Sequence, residues 1–145
     1  MIDIHLINEV DDQLNIDAPI FSKFCTMVFT DQNYKEGKIT FIFSNDEFLR
    51  KLKQKYFNVD VYTDVISFNL ESQGEPLEGE IYISRDRAEE NAQLFGITFE
   101  DELKRLVIHG SLHLLGHDDK TDNERKKMKQ LEDYYLQKFL GSFLN

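Results

Sequence analysis

Apolar and polar residues first alternate along the chain and then recur with helical spacing, which predicts a strand followed by a helix. Residues 2–7 (IDIHLI) have the period of two that is typical of a strand with one buried face. Asp17 is a favourable helix cap, and Pro19 suits the first turn of the helix that would follow it. We expect the apolar stripe of this helix to lie in the core, namely Ile20, Phe21, Phe24, Cys25, Val28 and Phe29.

Three further segments have strand-like patterns. Residues 39–43 (ITFIF), 64–69 (DVISFN) and 80–83 (EIYI) are short, apolar and rich in β-branched or aromatic side chains. Residues 71–80 (ESQGEPLEGE) are rich in turn-forming residues and predict a loop. A loop of this length favours antiparallel pairing of the two strands that it joins.

Capping signals predict the remaining helices. SNDE at residues 44–47 has capping-box spacing and predicts a helix capped by Ser44. The other predicted caps are Ser84, Thr98 and Thr121, and Gly96 and Gly116 are predicted to end two of the helices. The element order predicts one α+β domain over residues 1–145, a small mixed four-stranded sheet covered by helices.

Composition narrows the class of protein. The 145 residues include 27 acidic and 17 basic side chains, which give a net charge of −10. A negative net charge disfavours binding to nucleic acid unless basic side chains cluster at the binding surface. No run of apolar residues is long enough to span a membrane, and the N-terminus lacks the pattern of an export signal. Cys25 is the one cysteine. We therefore expect a cytoplasmic protein without a membrane segment.

Residues 109–119, HGSLHLLGHDD, predict a metal site at the end of the penultimate helix. His109 and His113 lie one helical turn apart and can bind one ion. Gly116 can end the helix and turn the chain back, so that Asp119 completes the ligand set. His117 is the alternative third ligand, and an ordinary hydrogen-bonded histidine pair without metal is the structural alternative.

Three protein ligands leave a coordination position open, as in catalytic zinc sites. His109 and His113 would then be catalytic through one divalent ion, with zinc favoured and manganese, cobalt or nickel not excluded because one ligand is a carboxylate. Gly110 argues against a peptidase, since zinc peptidases with an HExxH motif have a glutamate after the first histidine.

These residues resemble the signature HGxLHLxGYDH of the YbeY family, bacterial endoribonucleases that mature ribosomal RNA. Residues 63–68 (TDVISF) are similar to the TDVLSF strand of that family, and residues 79–83 (GEIYI) to its G-[DE]-I-x-I strand. The chain departs from the family where His117 replaces a tyrosine and Asp119 replaces the third histidine. It also has Phe57 where the family commonly has an arginine that faces the substrate.

The resemblance implies a metal-dependent endoribonuclease specific for single-stranded RNA. Its implied role is maturation of the 3′ end of small-subunit (16S) ribosomal RNA and ribosome quality control, with the small ribosomal subunit and assembly factors as partners. An assembly factor with a structural metal is the alternative, and a metallopeptidase is less favoured.

The same resemblance implies a substrate groove, which would be lined by Thr63, Asp64, Ser67, Phe68 and His117. Glu80 would orient a metal ligand. Asp64 and Ser67 equally suit local hydrogen bonds. Positive charge near the ion would come from Lys104, Arg105, Lys120, Arg125, Lys126, Lys127 and Lys129.

Overall fold

The predicted strands form one mixed sheet in the computed structural model, which describes residues 1–10 and 14–145. The strands are β1 (Ile2–Asn8), β2 (Gly37–Ser44), β3 (Val65–Asn69) and β4 (Leu77–Ser84). The spatial order is β1-β2-β4-β3, in which β1 and β4 both run parallel to β2, and β3 runs antiparallel to β4. The sheet therefore confirms the predicted architecture and the antiparallel final pair.

Five helices surround the sheet in the described part of the chain. Their first turns are capped by the side chains of Asp17, Ser84, Thr98 and Thr121, as predicted, and by Asn45. In the first helix the predicted apolar stripe is buried except for Ile20, which is 37% exposed. The helices are α1 (Ala18–Asp31), α2 (Asp46–Phe57), α3 (Arg85–Phe95), α4 (Phe99–Leu114) and α5 (Asp122–Lys138).

Two boundaries were predicted wrongly because long-range strand pairing extends further than the local pattern indicates. Ser44 is not a cap: it is the buried last residue of β2, paired with Ser84 of β4, and Asn45 accepts the hydrogen bond from the Phe48 N–H instead. Likewise the end of the predicted 71–80 loop is strand, since β4 begins at Leu77, which pairs with the start of β2.

Helix α4 is the centre of the fold. It packs with α1 on one face of the sheet, while α3 and α5 pack against its sides and α2 covers β3 and β4 from the opposite face. The buried ring of Phe21 joins α1 to this core through edge-on contacts with Phe41 and Phe43 of β2 and with Phe143. A helix held on so many sides fixes the positions of the side chains at its C-terminal end.

At Gly110, α4 approaches the sheet too closely for any side chain. A Cβ atom there would lie 2.7 Å from Cγ2 of Ile81 and 2.9 Å from Cγ2 of Val65. The Ser67 hydroxyl of β3 also donates a 2.7 Å hydrogen bond to the Gly110 carbonyl oxygen. Because this position faces the sheet, a glutamate after His109 has no space, which gives a steric reason for the lack of the HExxH peptidase motif.

Candidate metal centre

His109, His113 and Asp119 converge at the C-terminal end of α4. The two imidazole ring centres lie 4.4 Å apart, and one oxygen of Asp119, Oδ2, is 3.5 Å from His109 Nε2 and 3.3 Å from His113 Nε2. All three potential ligand atoms lie within 4.8 Å of one another. Tetrahedral zinc bonds of about 2.0–2.2 Å place neighbouring ligands roughly 3.3–3.6 Å apart, so these residues fit a divalent ion. His117 is not part of this cluster.

The short segment between α4 and α5 positions Asp119. Gly116 adopts a left-handed φ of +96°, and the N–H groups of Gly116 and His117 donate to the carbonyl oxygens of His113 and Leu112, which is the hydrogen-bond pattern of a Schellman motif. Thr121 then opens α5 with a capping box, as predicted. Asp119 therefore lies between two well-defined helix ends.

His117 is outside the ligand cluster and contacts the C-terminal end of α1. Its Nε2 donates to the side-chain oxygen of Gln32 at 2.9 Å, and the Gln32 amide donates to the hydroxyl of Tyr135 at 2.7 Å. Burial, with smaller contributions from the charges of Lys127 and His113, lowers the pKa of His117. The neutral imidazole thus serves as a hydrogen-bond donor that ties the α4–α5 turn to α1.

Glu132 of α5 contacts His109, the first candidate ligand, and was not predicted from the sequence. Its Oε2 lies 2.6 Å from His109 Nδ1. Because a carboxylate can only accept, a neutral His109 carries its proton on Nδ1, which leaves the Nε2 lone pair directed toward Asp119 and His113. One signal was available: an acid on the apolar face of α5, between the buried Met128 and Tyr135.

Arg105 holds this glutamate in place. Its guanidinium donates to both oxygens of the buried Glu102 at 2.6 Å and to Glu132 Oε1 at 3.5 Å. Burial lowers the pKa of Arg105, but the hydrogen bond and charge of Glu102, with the charges of Glu132 and Asp64, raise it above its usual value overall. Arg105 therefore stays charged and balances two buried carboxylates next to the candidate metal site.

The residues predicted to line the substrate groove do not lie on one surface. Thr63 donates to the Val65 carbonyl oxygen at 3.4 Å within its own segment, whereas Asp64 accepts from Asn91 of α3 at 3.2 Å and Ser67 donates to the Gly110 carbonyl oxygen of α4. All three side chains are therefore engaged in hydrogen bonds within the protein.

Phe68 and Glu80 lie on the opposite face of the sheet. The Phe68 ring packs against Tyr56 and Phe57 of α2, and Glu80 accepts from the Tyr82 hydroxyl at 3.2 Å. Since side chains alternate between the faces of a strand, the neighbours of Ile81, which faces Gly110, point away from α4. Glu80 therefore points away from the histidines, and the carboxylate that contacts His109 is that of Glu132.

Several of the basic side chains expected near the ion form hydrogen bonds or ion pairs within the protein. Lys104 is buried and donates to the Gly141 carbonyl oxygen, Arg105 is paired as described above, and Lys129 lies 3.5 Å from Asp133. Within residues 1–10 and 14–145, the exposed lysines of this region that form no ion pair are Lys120, Lys126 and Lys127.

We expect Glu132→Gln to weaken zinc binding roughly 10- to 100-fold, as is common when the partner of a histidine ligand is lost. The amide keeps the size of the side chain but removes the charge that holds the His109 proton. Competition with a chromophoric chelator measures the dissociation constant. Asp133→Asn, on the next residue of α5, is the control and should bind zinc as the wild type does; equal losses in both variants would contradict the assignment.

Comparison with known proteins gives concordant matches over most of the chain. A family model described as Endoribonuclease YbeY matches residues 6–140. The Endoribonuclease YbeY of Flavobacterium psychrophilum is 40% identical over 131 residues, which are 90% of this chain and 92% of that protein. That of Christiangramia forsetii is also 40% identical over 131 residues, 90% of either chain. The solution structure of TM1509 from Thermotoga maritima matches with a TM-score of 0.61 and 28% identity over 94% of this chain and 87% of that one.

Proposed function

Since this chain belongs to the YbeY endoribonuclease family, we propose that its one domain, residues 1–145, hydrolyses single-stranded RNA with the help of a divalent ion. His109, His113 and Asp119 would hold the ion, with zinc favoured over manganese, cobalt or nickel. The observation that carries the proposal is the convergence of these three ligands beside the Glu132 carboxylate. Family membership confirms the resemblance seen in the sequence motifs.

The residues of the chain have distinct parts in this chemistry. A divalent ion bound here would supply Lewis acidity, which lowers the pKa of a water molecule and polarises a phosphoryl oxygen. Glu132 keeps the Nε2 atom of His109 free of its proton, and both oxygens of Glu132 are engaged, with His109 and with Arg105. Glu132 is therefore a positioning residue and not a base that acts on substrate.

We further propose that the substrate is the 3′ region of precursor 16S ribosomal RNA, in the cytoplasm, with the small ribosomal subunit and its assembly factors as partners. This part rests on the family and on the three sequence motifs. No helix in the described residues is long and apolar enough to cross a membrane. The exposed Lys120, Lys126 and Lys127 beside the metal centre are the candidate contacts to the RNA backbone.

The test is cleavage of labelled RNA together with measurement of bound metal. We expect the wild type to carry one equivalent of ion, to cut a single strand faster than a duplex of the same sequence, and to cut a 16S precursor within its 3′ extension. A chelator should abolish cleavage, and added zinc, manganese, cobalt and nickel, tried separately, identify the ions that restore it. His113→Ala is the inactive control.

Two results would contradict the proposal. Cleavage that persists in His113→Ala or in chelator would show that the reaction does not use this site. Full metal occupancy without cleavage of any RNA would favour the alternative, an assembly factor in which the ion is structural.

A further inference from the structure

A cavity of about 790 Å³ opens directly from the metal centre and runs between α4 and α5 toward the turn after α3. His109 and Asp119 form its near end, and Phe95, Ile97 and Leu140 form its far end. We propose that this cavity binds the nucleobase of a nucleotide next to the phosphodiester that is cut. The proposal rests on the proposed function and adds to it a binding site for the base.

The far end of the cavity has the character of a base-binding site. Phe95 is 59% exposed, Ile97 is 41% exposed and Leu140 is 86% exposed, and all three line the same cavity. Exposed apolar side chains that lie together, unlike single ones, are typical of a binding site. The guanidinium carbon of Arg105 lies 5.9 Å from the centre of the Phe95 ring. An aromatic ring beside a guanidinium plane is the kind of surface on which unpaired RNA bases stack.

Charge distribution distinguishes the base from the phosphate. The wall of the cavity has the carboxylates of Asp101, Glu132 and Asp133 and the cations Arg105, Arg125 and Lys129. Each of these cations is ion-paired: Arg105 with Glu102 and Glu132, Arg125 with Asp122, and Lys129 with Asp133. Within the described residues a phosphate would therefore meet no unpaired cation on this wall, whereas a neutral base needs none. The phosphate belongs at the other end, where the ion would be held.

The volume of the cavity fits the same occupant. It lies within the roughly 300–1,000 Å³ that is usual for sites that bind small molecules, and so has room for one nucleoside. Because His109 and Asp119 belong both to the cavity wall and to the ligand set, a base seated here would hold its own phosphate within reach of the ion. The cavity would therefore both bind the RNA and determine which phosphodiester lies at the ion.

The experiment compares RNA with an intact base and RNA with an abasic nucleotide, at each position on either side of the mapped cut. For the wild type we expect kcat/KM to fall roughly 5- to 100-fold at one position, as is typical for the loss of one stacked base. Phe95→Ala should lower kcat/KM on intact RNA by a similar factor. In that variant the abasic nucleotide should lower kcat/KM no further. The matched control is Leu94→Ala, because Leu94 is 72% exposed and precedes Phe95 but does not line the cavity.

A second readout does not need cleavage. A short single-stranded RNA with the fluorescent base 2-aminopurine at successive positions should show quenching at one position with the wild type and not with Phe95→Ala. Quenching that depends on Phe95 in a protein that cuts no RNA would support the base site while contradicting the proposed function. Equal quenching in both proteins, or equal kcat/KM of Phe95→Ala and wild type on intact RNA, would overturn the inference and leave an apolar peptide as the better occupant.

Discussion

Replacement of Asp119 by alanine is expected to remove the ion and to lower RNA cleavage by more than about 100-fold, which exceeds the usual effect of losing only a ligand's hydrogen-bond partner. The two histidines would remain one turn apart on α4, but two neutral ligands without the carboxylate hold a divalent ion weakly. Metal content of the purified protein and single-turnover cleavage measure the two effects separately.

Two neighbouring variants make this result specific to Asp119. Asp118→Ala removes the same charge one residue earlier, from an exposed side chain outside the ligand cluster, and should keep its metal. His117→Ala tests the alternative third ligand. If His117→Ala loses the ion and Asp119→Ala keeps it, the ligand assignment is wrong and the contact between His117 and Gln32 does not persist in the loaded protein.

Replacement of Gly110 by alanine is expected to destabilise the fold by about 1–3 kcal/mol, although alanine normally stabilises a helix relative to glycine. The added Cβ would lie 2.7 Å from Ile81 Cγ2 and 2.9 Å from Val65 Cγ2, so α4 or the sheet must shift. Urea unfolding measures the loss, and a shift of α4 should also weaken metal binding because His109 is the preceding residue.

A double-mutant cycle tests the cause of this destabilisation. Val65→Ala removes one of the two methyl groups that the new Cβ would meet, so the double variant should be more stable than the sum of the two single effects predicts. Additive effects, or a Gly110→Ala protein as stable as the wild type, would show that the close approach of α4 to the sheet does not restrict this position.

Features that depend on neighbours in sequence were predictable, and those that depend on distant pairing were not. The caps at Asp17, Ser84, Thr98 and Thr121 were confirmed because each forms hydrogen bonds within its own first turn. Ser44 failed because β2 continues through it to pair with Ser84, which lies 40 residues further along the chain.

The same distinction applies to the site. The spacing of His109, His113, Gly116 and Asp119 predicts the observed cluster because one helix and one turn determine its geometry. Alternation in β4 shows that Glu80 and Ile81 face opposite ways, but the sequence does not tell which of them faces α4.

The arrangement of the ligands also bears on the order of folding. All three candidate ligands lie between residues 109 and 119, so bringing them together closes only a short loop and costs little chain entropy. The sheet, in contrast, requires β2 to pair with β4 across a long stretch of chain, a slow class of contact. We therefore expect the ligand set to assemble at a lower cost in chain entropy than the parallel pairing that completes the sheet.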